Sequence, residues 1–137
     1  MKIINGRWDE PSQNRGGTTF TGDVWVESVL PTTDGTTVNT VTFPPASRTH
    51  WHSHERGQLL QVVQGEGLVC SEGAPPAVIR QGDTVWVPAG ERHWHGAGPH
   101  SLLTHVAVSL GTTSWEHEVS DQEYRAAPDA ATEKESG

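Results

Sequence analysis

Five of the eight histidines in this 137-residue chain fall at positions 50, 52, 54, 93 and 95, two residues apart within each run. Side chains two apart on a β-strand share a face. His52 and His54 therefore project into one space, and His93 and His95 do the same. The chain has to present these rings from strands, and strands that bring both runs together must curl around an interior.

The rest of the sequence agrees. Apolar residues make up only 33%, while glycine (15) and proline (9) are frequent, a balance that suits many short strands joined by turns. Alternating runs are expected at Val24–Leu30, Thr36–Phe43, Arg48–His54, Leu59–Val63, Gly67–Cys70, Ala77–Arg80, Thr84–Val87, His93–His95 and Leu102–Leu110. Pro31-Thr32-Thr33-Asp34-Gly35 reads as a turn, and Gln64-Gly65-Glu66-Gly67 as a tight hairpin whose glycines take positive φ. Nine short strands at this spacing give an all-β sandwich or barrel. Only Val119–Arg125 reads as helix, with Ser120 as N-cap and Glu123 three residues on, the spacing of a capping box. With no internal repeat, a single barrel over residues 21–125 is expected. An N-terminal arm or edge strand (1–20) precedes it, and a disordered acidic tail (126–137) follows.

The formal charge is −8, and −5 of it lies from Glu116 onward. The acidity is mostly tail, and the absence of a basic stripe argues against nucleic acid and anionic membranes as partners. No apolar h-region opens the chain and no stretch approaches a membrane span, so neither a secretory signal nor a transmembrane segment is expected. Cys70 is the only cysteine, which rules out an intrachain disulfide and fits a reducing cytoplasm.

Imidazole suits divalent ions such as Mn, Fe, Co, Ni, Cu and Zn. One histidine alone would read as a polar residue on a wet strand. His52, His54 and His93 together, flanked by Trp51, Trp86 and Trp94, read as a ligand shell inside a barrel.

The spacing resembles a known family. His52-x-His54-x3-Gln58-x6-Gly65 is similar to the first cupin motif, with glutamine where most members carry glutamate. Gly82-x5-Pro88-x-Gly90-x2-His93 is similar to the second. The resemblance spans roughly residues 20–125 and implies a double-stranded β-helix (jelly-roll) barrel. The metal ligands it implies are His52, His54, Gln58 and His93. These distances hold only if His52 and His54 are the ligand pair, which leaves His50 on the same face farther along the strand, as a pocket residue, a support for a ligand or an exposed position, the last being favoured. Within the cupins the chain resembles the manganese-dependent hydroxynitrile lyases of cupin type and cupins related to carboxymuconolactone decarboxylases. That likeness rests on Gly82-Asp-Thr-Val-Trp-Val-Pro-Ala-Gly-Glu-Arg-His-Trp-His-Gly-Ala97, with Phe20-Thr-Gly-x-Val24 and Leu103-Thr-His-Val-Ala107. In those lyases the metal and neighbouring histidines bind a cyanohydrin and take its hydroxyl proton; the matching catalytic positions here are His95 and His105.

A shell of three histidines and a glutamine brings no negative charge. The ion keeps its full charge, binds more weakly and acts as a stronger Lewis acid, while oxidation to M³⁺ becomes harder. That favours non-redox chemistry at one divalent ion; the resemblance implies a metal-dependent lyase, with manganese first and Fe, Ni, Co or Zn as alternatives. An Fe- or Mn-dependent dioxygenase, a cyclase or isomerase of polyketide or ring metabolites, and a non-catalytic small-molecule-binding module are the competing readings. Asn39 and Val41 are expected to line the pocket beside His105. The tryptophans at 51, 86 and 94, with Trp25 and Trp8, are expected to face outward between the sheets and a partner subunit. A homodimer acting on a small molecule follows from that.

Overall fold

The structure, a computed structural model, describes residues 1–5 and 13–126. Most of the expected tail, and Trp8 in the expected arm, lie outside the described residues. In chain order the strands are β1 (Gln13–Arg15), β2 (Phe20–Thr21), β3 (Trp25–Thr33), β4 (Thr36–Phe43), β5 (Arg48–Thr49), β6 (His52–His54), β7 (Gln58–Ser71), β8 (Ala77–Arg80), β9 (Thr84–Val87), β10 (His93–Ala97), β11 (Leu103–Leu110) and β12 (Thr113–Trp115). One helix follows, α1 (Asp121–Arg125). The strands pair antiparallel throughout. β1-β3-β4-β11-β7-β9 forms one sheet, and β7-β10-β5-β2, with β8 on β7 and β6-β12 on β10, forms the other. The all-β jelly-roll barrel with one short C-terminal helix is thus as expected.

The tight hairpin at Gln64–Gly67 does not exist. The chain runs through it as the 14-residue strand β7. A hairpin requires its two arms to pair with each other, but these arms pair elsewhere. Gln58–Gly65 lies against β11, and Gly67–Ser71 lies against β10. The register on β11 slips between Thr104 and His105, from Gln64 to Val62. The resulting bulge bends β7 from one sheet into the other. Gly65 sits there at φ 81, and a Cβ would strike the Leu102 carbonyl. Gly67 does not take positive φ. It is needed because the Gly96 carbonyl and the Leu103 side chain occupy the space of its Cβ.

Two smaller differences matter for the site. Arg48–His54 is not one strand but β5 and β6, broken at His50 and Trp51. The turn after β3 is only Asp34-Gly35, with φ of 50 and 77, a hairpin whose twist matches its strands.

The barrel interior is filled at one end by Val24, Val41, Phe43, Val62, Ile79, Ala97 and Leu103. A second cluster, Trp51, Leu68, Cys70, Trp94, Val119 and Tyr124, lies on the outer side of the second sheet. Trp51 and Trp94 do point away from the interior, but the chain's own C-terminal segment covers them; no partner subunit is needed there. Val119 and Tyr124 flank the capped end of α1 as a hydrophobic staple. The capping box is complete: Glu123 N donates to Ser120 Oγ, and Ser120 N donates to Glu123 Oε1. Arg48, buried, donates to the Val119 carbonyl and Asp121 and lies over the Tyr124 ring. Trp86 and Trp25 are exposed on the outer face of the first sheet.

Candidate metal centre

β6 and β10 carry the histidines inward. His52 and His93 are direct cross-strand partners, with ring centroids 4.2 Å apart. His54, two residues on, shares their face, at 5.0 Å from the His52 ring and 5.5 Å from the His93 ring. Gln58 opens β7 opposite Ser109; its Nε2 donates to Ser109 Oγ at 3.1 Å, and its Oε1 is 3.0 Å from His93 Nε2. The four residues expected to be ligands are buried together at one end of the barrel.

His95 comes closer than expected. One ring nitrogen from each of His52, His93 and His95 lies within 4.8 Å of the others. The physical reason is the pleat: His95 stands two residues beyond His93 on a strand buried along its whole length. His95 Nδ1 also lies 3.0 Å from His105 Nε2, so the two residues expected to be catalytic form a dyad. His50 is half-buried, not exposed. Its ring is not among the cavity-lining residues, and its carbonyl accepts from His52 Nδ1 at 2.9 Å.

The hydrogen bonds fix which nitrogens remain available. His52 Nδ1 donates to the His50 carbonyl, and His93 Nδ1 to the Glu91 carbonyl. His54 Nδ1 is 3.0 Å from Thr113 Oγ1. In a neutral imidazole with Nδ1–H committed, Nε2 carries the lone pair. Burial, followed by the charge of His93, depresses the pKa of His52 and holds that of His54 at about 4. Burial lowers His93, and burial with the His105 ring beside it lowers His95; burial sets His105 at about 4. All five rings are therefore neutral near pH 7 and present basic nitrogens.

These residues fit a divalent transition ion. His93 Nε2, bearing a lone pair, faces the lone pairs of Gln58 Oε1. Either the amide turns round or a cation takes both. Beside them, the Nε2 atoms of His54 and His95 are buried without a hydrogen-bond partner, a costly state for a polar atom. A cation held by His93, Gln58 and His54 relieves the first three of these atoms and leaves the His95 Nε2 lone pair free at the cavity.

The site opens on a cavity of about 250 Å³. Phe20, Val26, Val41, Phe43, Ala107 and Trp115 supply its apolar wall, while Asn39, Thr37, Thr49 and Ser109 supply polar atoms. Asn39 and Val41 line it as expected. Sequence reasoning missed β12, where Thr113 touches His54 and Trp115 stacks on His52 at 4.5 Å and 30°. The spacing of Thr113 and Trp115, two apart, was the available signal, but three residues are too few to show alternation.

Among known proteins, the cupin-domain family model matches residues 39–104. The chain is 39% identical over 112 residues to the (R)-mandelonitrile lyase of Granulicella tundricola, covering 77% of this chain and 86% of that one. An acireductone dioxygenase of Granulibacter bethesdensis is 33% identical over 67 residues, 47% of this chain and 37% of that one. A crystal structure of a cupin-like protein from Thermotoga maritima superposes with a TM-score of 0.82 at 36% identity, over 91% of this chain and 99% of that one.

Proposed function

This chain belongs to the cupin superfamily, and from that premise we propose that it is a metal-dependent lyase of hydroxynitrile-lyase type. Its substrate is a small organic hydroxy compound that splits into a carbonyl compound and a leaving anion. The observation that carries the proposal is the His95–His105 dyad, joined at 3.0 Å and facing the same cavity as the candidate ligands.

A divalent ion, manganese first, held by His52, His54, Gln58 and His93 supplies Lewis acidity toward the substrate oxygen. The protein's own groups do the proton work. With His95 Nδ1–H donating to His105 Nε2, His95 Nε2 keeps a lone pair at the cavity and is the base. It takes the hydroxyl proton; the bond from carbon to the cyano group breaks, its electron pair leaves with cyanide, and the C=O bond forms. The proton on His95 then passes to cyanide, which departs as the neutral acid. His105 stabilises the transient imidazolium by accepting its Nδ1–H, and it brings no charge that would hold the proton there. Phe20, Phe43 and Trp115 provide a wall against which an aryl or compact alkyl substituent packs.

The test is to load the protein with Mn²⁺ and follow aldehyde and cyanide formation from mandelonitrile and aliphatic cyanohydrins. Turnover lost in His95→Gln while metal remains bound supports the lyase. No turnover of any cyanohydrin by fully loaded protein overturns it. The dioxygenase reading draws on the acireductone dioxygenase likeness, and Gln58 weighs against it because a neutral shell disfavours M³⁺; oxygen uptake by iron-loaded protein would reverse the choice.

We also take the protein to be a homodimer. Trp86, Leu59, Val108, Val38 and Leu30 make an uncharged row across five neighbouring strands on the outer face of the first sheet. A second copy carries the matching row. A monomer in sedimentation analysis would sink this.

A further inference from the structure

Resting on the reading that the histidine cluster holds a metal, we propose that β12 braces that centre, with Thr113 and Trp115 as positioning residues for His54 and His52. Metal-ligating imidazoles need their second nitrogen and their ring plane fixed, because a ring free to rotate loses entropy on binding. Two of the candidate ligands have backbone carbonyls for this purpose, at His50 and Glu91. His54 has none. Its Nδ1 meets only the Thr113 hydroxyl, at 3.0 Å. His52 is held on one side by its Nδ1 bond and on the other by the indole of Trp115, stacked at 4.5 Å.

The register explains why one strand serves both. Thr113 pairs with His54 and Trp115 with His52, so each brace stands beside the ring it holds. Among the described residues β12 pairs with β6 alone, and a three-residue edge strand is weak by itself. Anchors at both ends compensate. Before it, Glu55 N donates to the Thr112 carbonyl, and Glu55 Oε1 accepts from Thr112 N. After it, Glu116 N donates to the Trp51 carbonyl and Trp51 N to the His117 carbonyl. Val119 and Tyr124 then plug the second core, where Tyr124 Oη donates to the Ala97 carbonyl at 2.7 Å. The helix thereby locks the strand that locks the ligands.

The experiment is Co²⁺ titration of the metal-free protein, read by calorimetry and by the visible d–d spectrum. The variants are Thr113→Val, Thr113→Ser, Trp115→Leu and the control pair His52→Ala with His93→Ala. Wild type should bind one ion per chain, and the control pair none. Thr113→Val keeps shape and removes only the hydroxyl. It should weaken affinity about 10–100-fold and alter the spectrum, with Thr113→Ser restoring both. Trp115→Leu should weaken affinity in the same range. Thermal unfolding of the metal-free variants separates loss of fold from loss of ligand positioning. Stoichiometric wild-type binding with Thr113→Val and Trp115→Leu unchanged in affinity and spectrum overturns the brace alone. Failure of wild type to bind overturns the centre, and the brace with it.

Discussion

His93 Nε2 lies 3.0 Å from the side-chain amide of Gln58, with the other nitrogen of His93 already donating to the Glu91 carbonyl. Gln58→Glu puts a negative charge at this contact. The sign follows from Coulomb attraction: a dication gains a countercharge, so affinity should rise by more than about tenfold (about 1.4 kcal/mol). In the metal-free protein the same carboxylate should raise the pKa of His93. Calorimetric titration with Mn²⁺ and an NMR titration of the imidazoles check the two halves. Equal or weaker metal binding by the variant would place Gln58 outside the ligand set.

Acid should destabilise the metal-free protein through its buried histidines. His105 and His54 titrate at about 4 in the folded state, against about 6.5 in an unfolded chain. Between those values the unfolded chain binds more protons, so stability falls as pH falls from about 6.5 to about 4 and is unaffected above that window. His105, fully buried, alone accounts for about 3 kcal/mol across it. Urea midpoints measured at pH 8, 6 and 4.5 should show a flat upper range and a steep lower one. A midpoint unchanged from pH 6.5 to 4.5 contradicts neutral burial of these rings.

Removing the base should separate chemistry from metal binding. If His95 is the base, His95→Gln lowers kcat on an accepted cyanohydrin by about 10²–10⁴-fold while leaving metal stoichiometry at the wild-type value. His105→Phe keeps the bulk beside Phe43 but loses the acceptor for His95 Nδ1, so it should shift the pH profile as well as lower kcat. Loss of metal in His95→Gln would instead make His95 a ligand, a placement its nearness to His52 and His93 allows.

Gly65→Ala tests the bend of β7. The position is held at φ 81, and a methyl group there meets the Leu102 carbonyl. Left-handed strain and the backbone clash together should cost more than about 2 kcal/mol. Gly73→Ala, also at positive φ but with open space at its Cβ, should cost less. Thermal unfolding of the pair checks the order; equal costs would mean that φ alone decides.

Much of this molecule was legible in the primary structure. Residues two apart share a strand face whatever surrounds them, so His52 with His54, and His93 with His95, announced an inward-facing pair of runs. The capping box at Ser120 and Glu123 was readable for the same reason: it is local chemistry, complete within four residues. What pattern could not supply is which strand meets which. Gln64–Gly67 has turn composition, yet it became a bulge because β10 and β11 offered its two halves different partners. Trp51 and Trp94 read as surface seeking another chain, yet α1 folds back over them, held by Arg48 and by the Ala97 carbonyl from distant parts of the sequence. The neutrality of five histidines, the contact of His95 with His105, and the bracing of His54 by Thr113 all join residues remote along the chain. Local pattern is set by the covalent geometry of a strand or turn, whereas burial, tautomer and pKa depend on atoms that only the closed barrel brings within a few ångströms.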